Sequence, residues 1–188
     1  MENMTIAVRV FFLFFLILPF IRCYPLLAAE TVYLTPQQAL EIAFPDSTSL
    51  TPRTITLSAD LKKKIERRIG VTMPEDRFTI YTSRIVTKPD GYALILDEIG
   101  KHLPITFMVA FTPQKQVKSV QVLVYRERVG SNVRQPNFLK QFISKSSQDS
   151  LSVGNDINGI TGATMSSWAI SAGVKKAAVI VEELDNPL

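Results

Sequence analysis

The sequence predicts an α+β fold, a small antiparallel sheet packed by one long C-terminal helix, and three observations carry that prediction. From Arg77 the apolar residues take up a two-residue alternation, clearest in Val120-Gln121-Val122-Leu123-Val124-Tyr125, which places one face of a strand in a core. The segments between such strands are short enough for hairpin links, which favours antiparallel pairing. Near the C-terminus Ile170, Val174, Ala177, Val181 and Leu184 recur at steps of three and four, a single stripe along a helix spanning residues 168–184. With no internal repeat and no long low-complexity tract, the 188 residues make one domain with extensions.

The first 29 residues read as an address. Residues 10–21 form an unbroken apolar run flanked by Arg9 and Arg22. Its length at about 1.5 Å rise per residue is roughly 18 Å, short of the ~30 Å hydrocarbon core of a bilayer. That suits the core of a secretory signal, with Ala28-Ala29 offering small residues for cleavage before Glu30; an uncleaved anchor is the alternative. Arg22 precedes the single cysteine, Cys23, where a lipoprotein signal needs a small residue. Loss of this segment leaves no cysteine, which excludes a disulfide framework, cysteine-ligated zinc and iron–sulfur clusters. The formal net charge of +4 is interspersed along the chain, so nothing points to nucleic acid. The basic cluster of Lys62, Lys63, Lys64, Arg67 and Arg68 shares its helix with Glu66 and reads as a solvated face.

Residues 30–76 form a small front region of helix and strand. Thr35-Pro36-Gln37-Gln38 opens a helix with a Thr cap, Pro at the first helical position and Gln three residues after the cap; it stops at Pro45. Residues 54–57 predict a short strand. Ser58 then caps a helix over 59–69 that Gly70 closes. Residues 77–188 make up the main domain. Strands are expected at 78–82 and 92–96, linked by a turn at Lys88-Pro89-Asp90-Gly91, and at 105–111 and 117–125, linked through residues 112–116. Residues 136–143 predict a short helix with Phe138, Leu139 and Phe142 on one side, followed by a polar surface loop over 144–152.

Chemistry concentrates in the turn Asn158-Gly159-Ile160-Thr161-Gly162-Ala163-Thr164-Met165-Ser166-Ser167. Gly162 and Ala163 leave space for another group to approach the backbone. A helix start presents unpaired N–H groups and partial positive charge, which favour an anion such as phosphate. Hydroxyls at Thr161, Thr164, Ser166 and Ser167 can cap the helix, hydrogen-bond a phosphate or be esterified by one. Taken as pattern alone, the turn is also an ordinary helix start. No Gly-Lys-Ser/Thr makes it a P-loop, and the spaced glycines of a dinucleotide fingerprint are absent.

Thr161-Gly162-Ala163-Thr164 followed by Met165-Ser166-Ser167 resembles the flavin-attachment motif of the FMN-binding domain family, which includes the G subunit of Rnf complexes and the C subunit of the sodium-translocating NADH:quinone oxidoreductase. The likeness continues upstream in the stretch from Gly100-Lys101-His102 to Phe107, in Tyr125-Arg126-Glu127-Arg128-Val129-Gly130 and in Phe138-Leu139-Lys140-Gln141-Phe142. The motif reads roughly Asp-x-x-Ser/Thr-Gly-Ala-Thr; its leading Asp is Asn158 here, with Asp156 two residues earlier. The resemblance implies that residues 77–188 are an FMN-binding domain and that Thr164 carries FMN through a phosphoester made by a flavin transferase. Thr161, Gly162 and Ala163 would then position the phosphate, Ser166 or Ser167 would cap the helix, and Asn158 and Asp156 would shape the turn or be recognised by the transferase. It implies an exported electron carrier, in the periplasm or on the outer face of the membrane, working with membrane-bound or periplasmic redox proteins. The alternative is a redox-silent or non-covalent FMN- or anion-binding subunit.

Other residues are weaker candidates. His102, the one histidine, lies in a loop between strands, and no second histidine or carboxylate cluster joins it in a metal site. Arg126 or Arg128 would either pair with a phosphate or sit in an ion pair at a strand end. Trp168, one helical turn after Thr164, would lie against a flavin ring or pack in the core. The serines lack a His–Asp partner set, which argues against a serine hydrolase, and no nicotinamide-binding stretch supports a standalone reductase.

Overall fold

The computed structural model describes residues 30–184, so the expected signal segment and Cys23 lie outside the described residues. The chain folds as β1 (Thr31–Val32), α1 (Pro36–Ala43), β2 (Ser49–Thr56), α2 (Ala59–Ile69), β3 (Arg77–Ile85), β4 (Lys88–Ile99), β5 (Pro104–Phe111), β6 (Val117–Tyr125), α3 (Pro136–Leu139) and α4 (Thr164–Glu183). All six strands form one sheet in the order β1-β6-β5-β4-β3-β2, every neighbouring pair antiparallel. This is the expected α+β architecture, with one long helix laid across a sheet.

Local chemistry sets the front helices. Thr35 and Gln38 form a reciprocal capping box at α1, with Pro36 at the first helical position. Ser58 caps α2 and Gly70 closes it in the left-handed region. Residues 30–76 also supply both edges of the sheet. β1 extends β6, and β2, longer than the four residues expected, pairs with β3 from Ser49 to Thr56. Pro52 is tolerated there because β2 is an edge strand.

The β3–β4 turn falls at Val86-Thr87 instead of Lys88–Gly91. Pairing continues through Ile85 opposite Lys88 and Arg84 opposite Pro89, with a bulge at Ser83/Arg84 that absorbs Asp90. Asp90 is held in the sheet by a hydrogen bond from Ser83 Oγ at 3.0 Å and an ion pair with Lys118, so Pro-Asp-Gly continues the strand. The helix expected over 136–143 is one turn of α-helix continued by a 3-10 turn (Lys140–Phe142). Phe138 and Phe142 are buried there in edge-to-face contact, 5.4 Å between centroids.

The sheet buries both faces. On one, Ala39, Leu40, Ala43 and Phe44 of α1 meet Ala93, Met108, Ala110 and Leu123. On the other, α4 covers β4 and β5, with Ile170, Val174, Ala177 and Val181 in the main core beside Phe107, Val109 and Phe111. Helix α4 lies very close to the sheet at Gly173, where a Cβ would stand 2.3 Å from the ring of the fully buried Phe107 and 2.7 Å from Cγ of Glu98. Its C-terminal end is also tied down. Lys115 donates to the carbonyls of Glu182 and Leu184 at 3.2 and 3.0 Å, and Lys64 and Arg68 of α2 pair with Glu182 and Glu183.

Gly173→Ala is expected to lower stability by about 1–3 kcal/mol through overpacking, against the usual gain of alanine in a helix. Urea unfolding of the two proteins checks this; a stability equal to or above wild type contradicts the close approach.

Candidate functional site

The hydroxyl-rich turn sits where α4 leaves the sheet. Residues 160–163 form a tight turn, closed by a hydrogen bond from the Ala163 N–H to the Ile160 carbonyl at 2.9 Å, with Gly162 at φ 80°. The helix starts at Thr164, four residues before the expected span of 168–184, and Ala163 is its N-cap. No side chain caps it, and its first turn holds no acidic residue. The serines expected to cap are used elsewhere. Ser167 Oγ donates back to the Ala163 carbonyl at 3.0 Å and accepts from the Ile160 N–H at 3.1 Å, binding the turn to the helix from inside. Ser166 is buried, and its Oγ lies 2.8 Å from the Tyr125 hydroxyl.

Thr164 is therefore the first helical residue. It is exposed, at an N-terminus whose leading N–H groups have no side-chain acceptor. Thr161 and Gly162 are exposed beside it, and Ala163 is buried beneath. The space around Gly162 is open, so its role is the left-handed turn more than close packing.

Two fastenings hold this end. Tyr125, buried at the end of β6, donates to the Val129 carbonyl at 2.6 Å and meets Ser166. Burial pushes its phenol above the ordinary value despite the Ser166 contact, so it stays a donor. Gly130, at φ 94°, lies against both; a Cβ there would stand 2.7 Å from the Tyr125 oxygen and 3.0 Å from Ser166 Oγ. The other fastening is Gln141, whose side-chain amide accepts from the N–H of Asn158 at 2.8 Å and donates to its carbonyl at 3.1 Å. Asn158 is thus gripped by its backbone, and it is exposed.

Asp156 organises the loop before the motif. Its carboxylate accepts from the Ser152 N–H at 2.8 Å, the Leu151 N–H at 3.1 Å and Lys145 Nζ at 2.9 Å. Burial alone would raise its pKa, but these donors together hold it below the ordinary carboxylate value. This structural role was open in the sequence.

The weaker candidates resolve differently. Arg126 is committed to the Pro104 carbonyl, Thr106 and an ion pair with Glu30, while Arg128 is exposed. The backbone N–H groups of His102 and Leu103 donate to the Glu127 carboxylate, which despite partial burial they hold below its ordinary pKa. Trp168 is 53% exposed, which rules out the core packing weighed for it; with Met165 it presents apolar surface beside Thr164. Among the described residues no cluster of metal-ligating side chains occurs, and no helix is long and apolar enough to cross a membrane. Tyr125, Gly130 and Gln141 lie inside the segments that carry the resemblance, but their contacts across 17 to 41 residues had no signal in spacing.

Residues 100–179 match the family model of the FMN-binding domain. The fold is similar to that of NqrC from Shewanella oneidensis, with a TM-score of 0.55 and 14% identity over 81% of this chain and 91% of that one. It is also similar to the C subunit of the Na(+)-translocating NADH-quinone reductase from Parabacteroides distasonis, with a TM-score of 0.52 and 12% identity over 84% and 88%. At such identities the likeness is one of fold. No curated protein matches the chain.

A carboxyl held below its ordinary pKa of about 3.9 stabilises the fold fully above that value and loses the contribution as pH falls through the depressed one. Asp156→Asn is therefore expected to cost about 1–3 kcal/mol at neutral pH, with the gap to wild type closing in acid below about pH 4. Thermal midpoints across that range check it; a gap that persists unchanged at low pH contradicts the assignment.

Proposed function

We propose that the chain, whose residues 100–179 match the model of the FMN-binding domain, is an exported electron-transfer flavoprotein of that family carrying FMN as a phosphoester on Thr164. The observation that carries this reading is the uncapped start of α4: an exposed threonine in the first turn of a 20-residue helix, with no acidic residue in that turn. Such a terminus fits a phosphate, because its free N–H groups and the helix dipole both favour negative charge. The bound flavin would supply the redox chemistry, and the protein the tether, orientation and surroundings.

Each neighbour has a part in that arrangement. Thr161 and the Gly162–Ala163 backbone would border the phosphate. Ser166 and Ser167 act from below, by fixing the helix end to Tyr125 and to the turn. Asn158, presented by Gln141 with its backbone already engaged, keeps its side chain for contact with a flavin transferase. Met165 and Trp168 offer apolar surface on which a ring could rest. A covalent link suits a carrier exported away from the cytoplasmic flavin pool, and a flavin close to the surface would pass electrons to membrane-bound or periplasmic redox proteins. The same free N–H groups would also hold FMN or another anion without a covalent bond, which is the second reading.

The two readings separate in the full chain co-produced with a flavin transferase. Flavin fluorescence that survives a denaturing gel is expected in wild type, in Thr161→Ala at comparable intensity, and not at all in Thr164→Ala. Covalent fluorescence retained by Thr164→Ala contradicts the assignment. Flavin that stays with that variant through native dialysis but not through denaturation supports the non-covalent reading.

A further inference from the structure

A groove of about 730 Å³ runs beside α4 on the side away from Tyr125, between the end of β4, the segment after α2 and the loop before the motif. Its volume is within the roughly 300–1,000 Å³ typical of small-molecule sites. Ile99 and Trp168, 64% and 53% exposed, border it as large apolar side chains. Trp168, Ser171 and Lys175 line the groove at steps of three and four, and the same stripe of α4 carried one turn towards its N-terminus reaches Thr164, outside the lining.

The charged side chains in the lining are already paired. Lys176 lies between Glu75 and Glu98 at 2.9 and 2.5 Å, Lys175 donates to the Ser147 and Asp149 carbonyls at 2.7 and 2.6 Å, and Asp97 accepts from Thr106 at 2.5 Å. One buried polar group of the lining is left over. Ser171 is 2% exposed, and its Oγ has no hydrogen-bond partner, a state that costs stability until an acceptor or donor arrives. A site with apolar rims, lysines already engaged, a small excess of carboxylates and one buried unspent hydroxyl selects an uncharged ligand that offers a hydrogen-bond acceptor and disfavours a phosphate.

We propose that this groove binds an uncharged planar ring bearing carbonyl oxygens, with its face against Trp168 and one carbonyl accepting from Ser171 Oγ. Two sources share that chemistry: a free quinone, or the isoalloxazine of a flavin tethered at Thr164. The binding of a free ring does not require the tether, so the proposal stands or falls apart from the attachment itself.

Trp168 is the single tryptophan of the chain, so its fluorescence reports the groove directly. Menadione titrated into the full-length Thr164→Ala protein is expected to quench it saturably. Adding Ser171→Ala should weaken the apparent Kd by about threefold to tenfold, the worth of one neutral hydrogen bond, without lowering the unfolding midpoint, because the hydroxyl has no partner to lose. Repeating the titration on flavinylated wild type separates the sources. Saturable quenching that persists identifies a site for a free quinone, whereas quenching already complete and insensitive to menadione identifies the tethered ring. Quenching that rises without saturation, or curves that coincide with and without the Ser171 hydroxyl, would overturn the proposal.

Discussion

The structure depends on how closely α4 lies on the sheet. Gly173 lets the helix meet Phe107 of β5 and Glu98 of β4 at a distance that any side chain would prevent. Once that contact is made, the stripe of Ile170, Val174, Ala177 and Val181 enters the core, and the position of Thr164 is fixed by a rigid helix nine residues long from the contact. A flexible loop would present a threonine in many orientations. Here the turn before Thr164 is a fixed end of a helix, held by Ser167 from within and by Tyr125 and Gln141 from without.

Charge is distributed to serve the same helix. Its C-terminal turn carries Glu182 and Glu183, unfavourable beside the helix dipole. Lys64 and Arg68 of α2 neutralise them, and Lys115 takes up the last carbonyls. At mid-helix the buried Lys176 is clasped by Glu75 and Glu98. Burial of one partner without the others would be costly, so these contacts act together to set α4 against α2 and β4. The N-terminal end is the opposite case. There no side chain caps the helix, and the residues that might have done so are turned inward to hold the helix in place. An end built in this way is rigid and unsatisfied at once, which is what an anion site requires.

Much of this was legible where the governing chemistry is local. Thr35-Pro36-Gln37-Gln38 marked the start of α1, and Ser58 and Gly70 both ends of α2, to the residue, because caps are made by side chains within three or four positions, whereas α1 ends at Ala43, short of the expected stop at Pro45. Alternation found β5 and β6, and the three- and four-residue stripe found α4. The failures were tertiary. The β3–β4 turn moved because Ser83 and Lys118 hold Asp90 in the sheet, and neither partner is adjacent to it in sequence. The helix began at Thr164 because Ser167 bonds back to Ala163, so a hydroxyl that looked like a cap became part of the first turn. Of the motif, the residue types and order were plain in the chain, while the grip of Gln141 on Asn158, the buried Tyr125–Ser166 pair and the unpartnered Ser171 exist only once distant segments meet.

The central claim is that the exposed threonine at the start of α4 is the point of attachment. Peptide-level mass spectrometry on the chain matured with a flavin transferase addresses it most directly. Tryptic cleavage leaves residues 146–175 as one fragment containing both Thr161 and Thr164, and backbone fragmentation tells them apart. The account predicts a mass gain of FMN less water confined to Thr164. The same gain on Thr161, or an unmodified fragment where a related flavoprotein is modified in parallel, would contradict it.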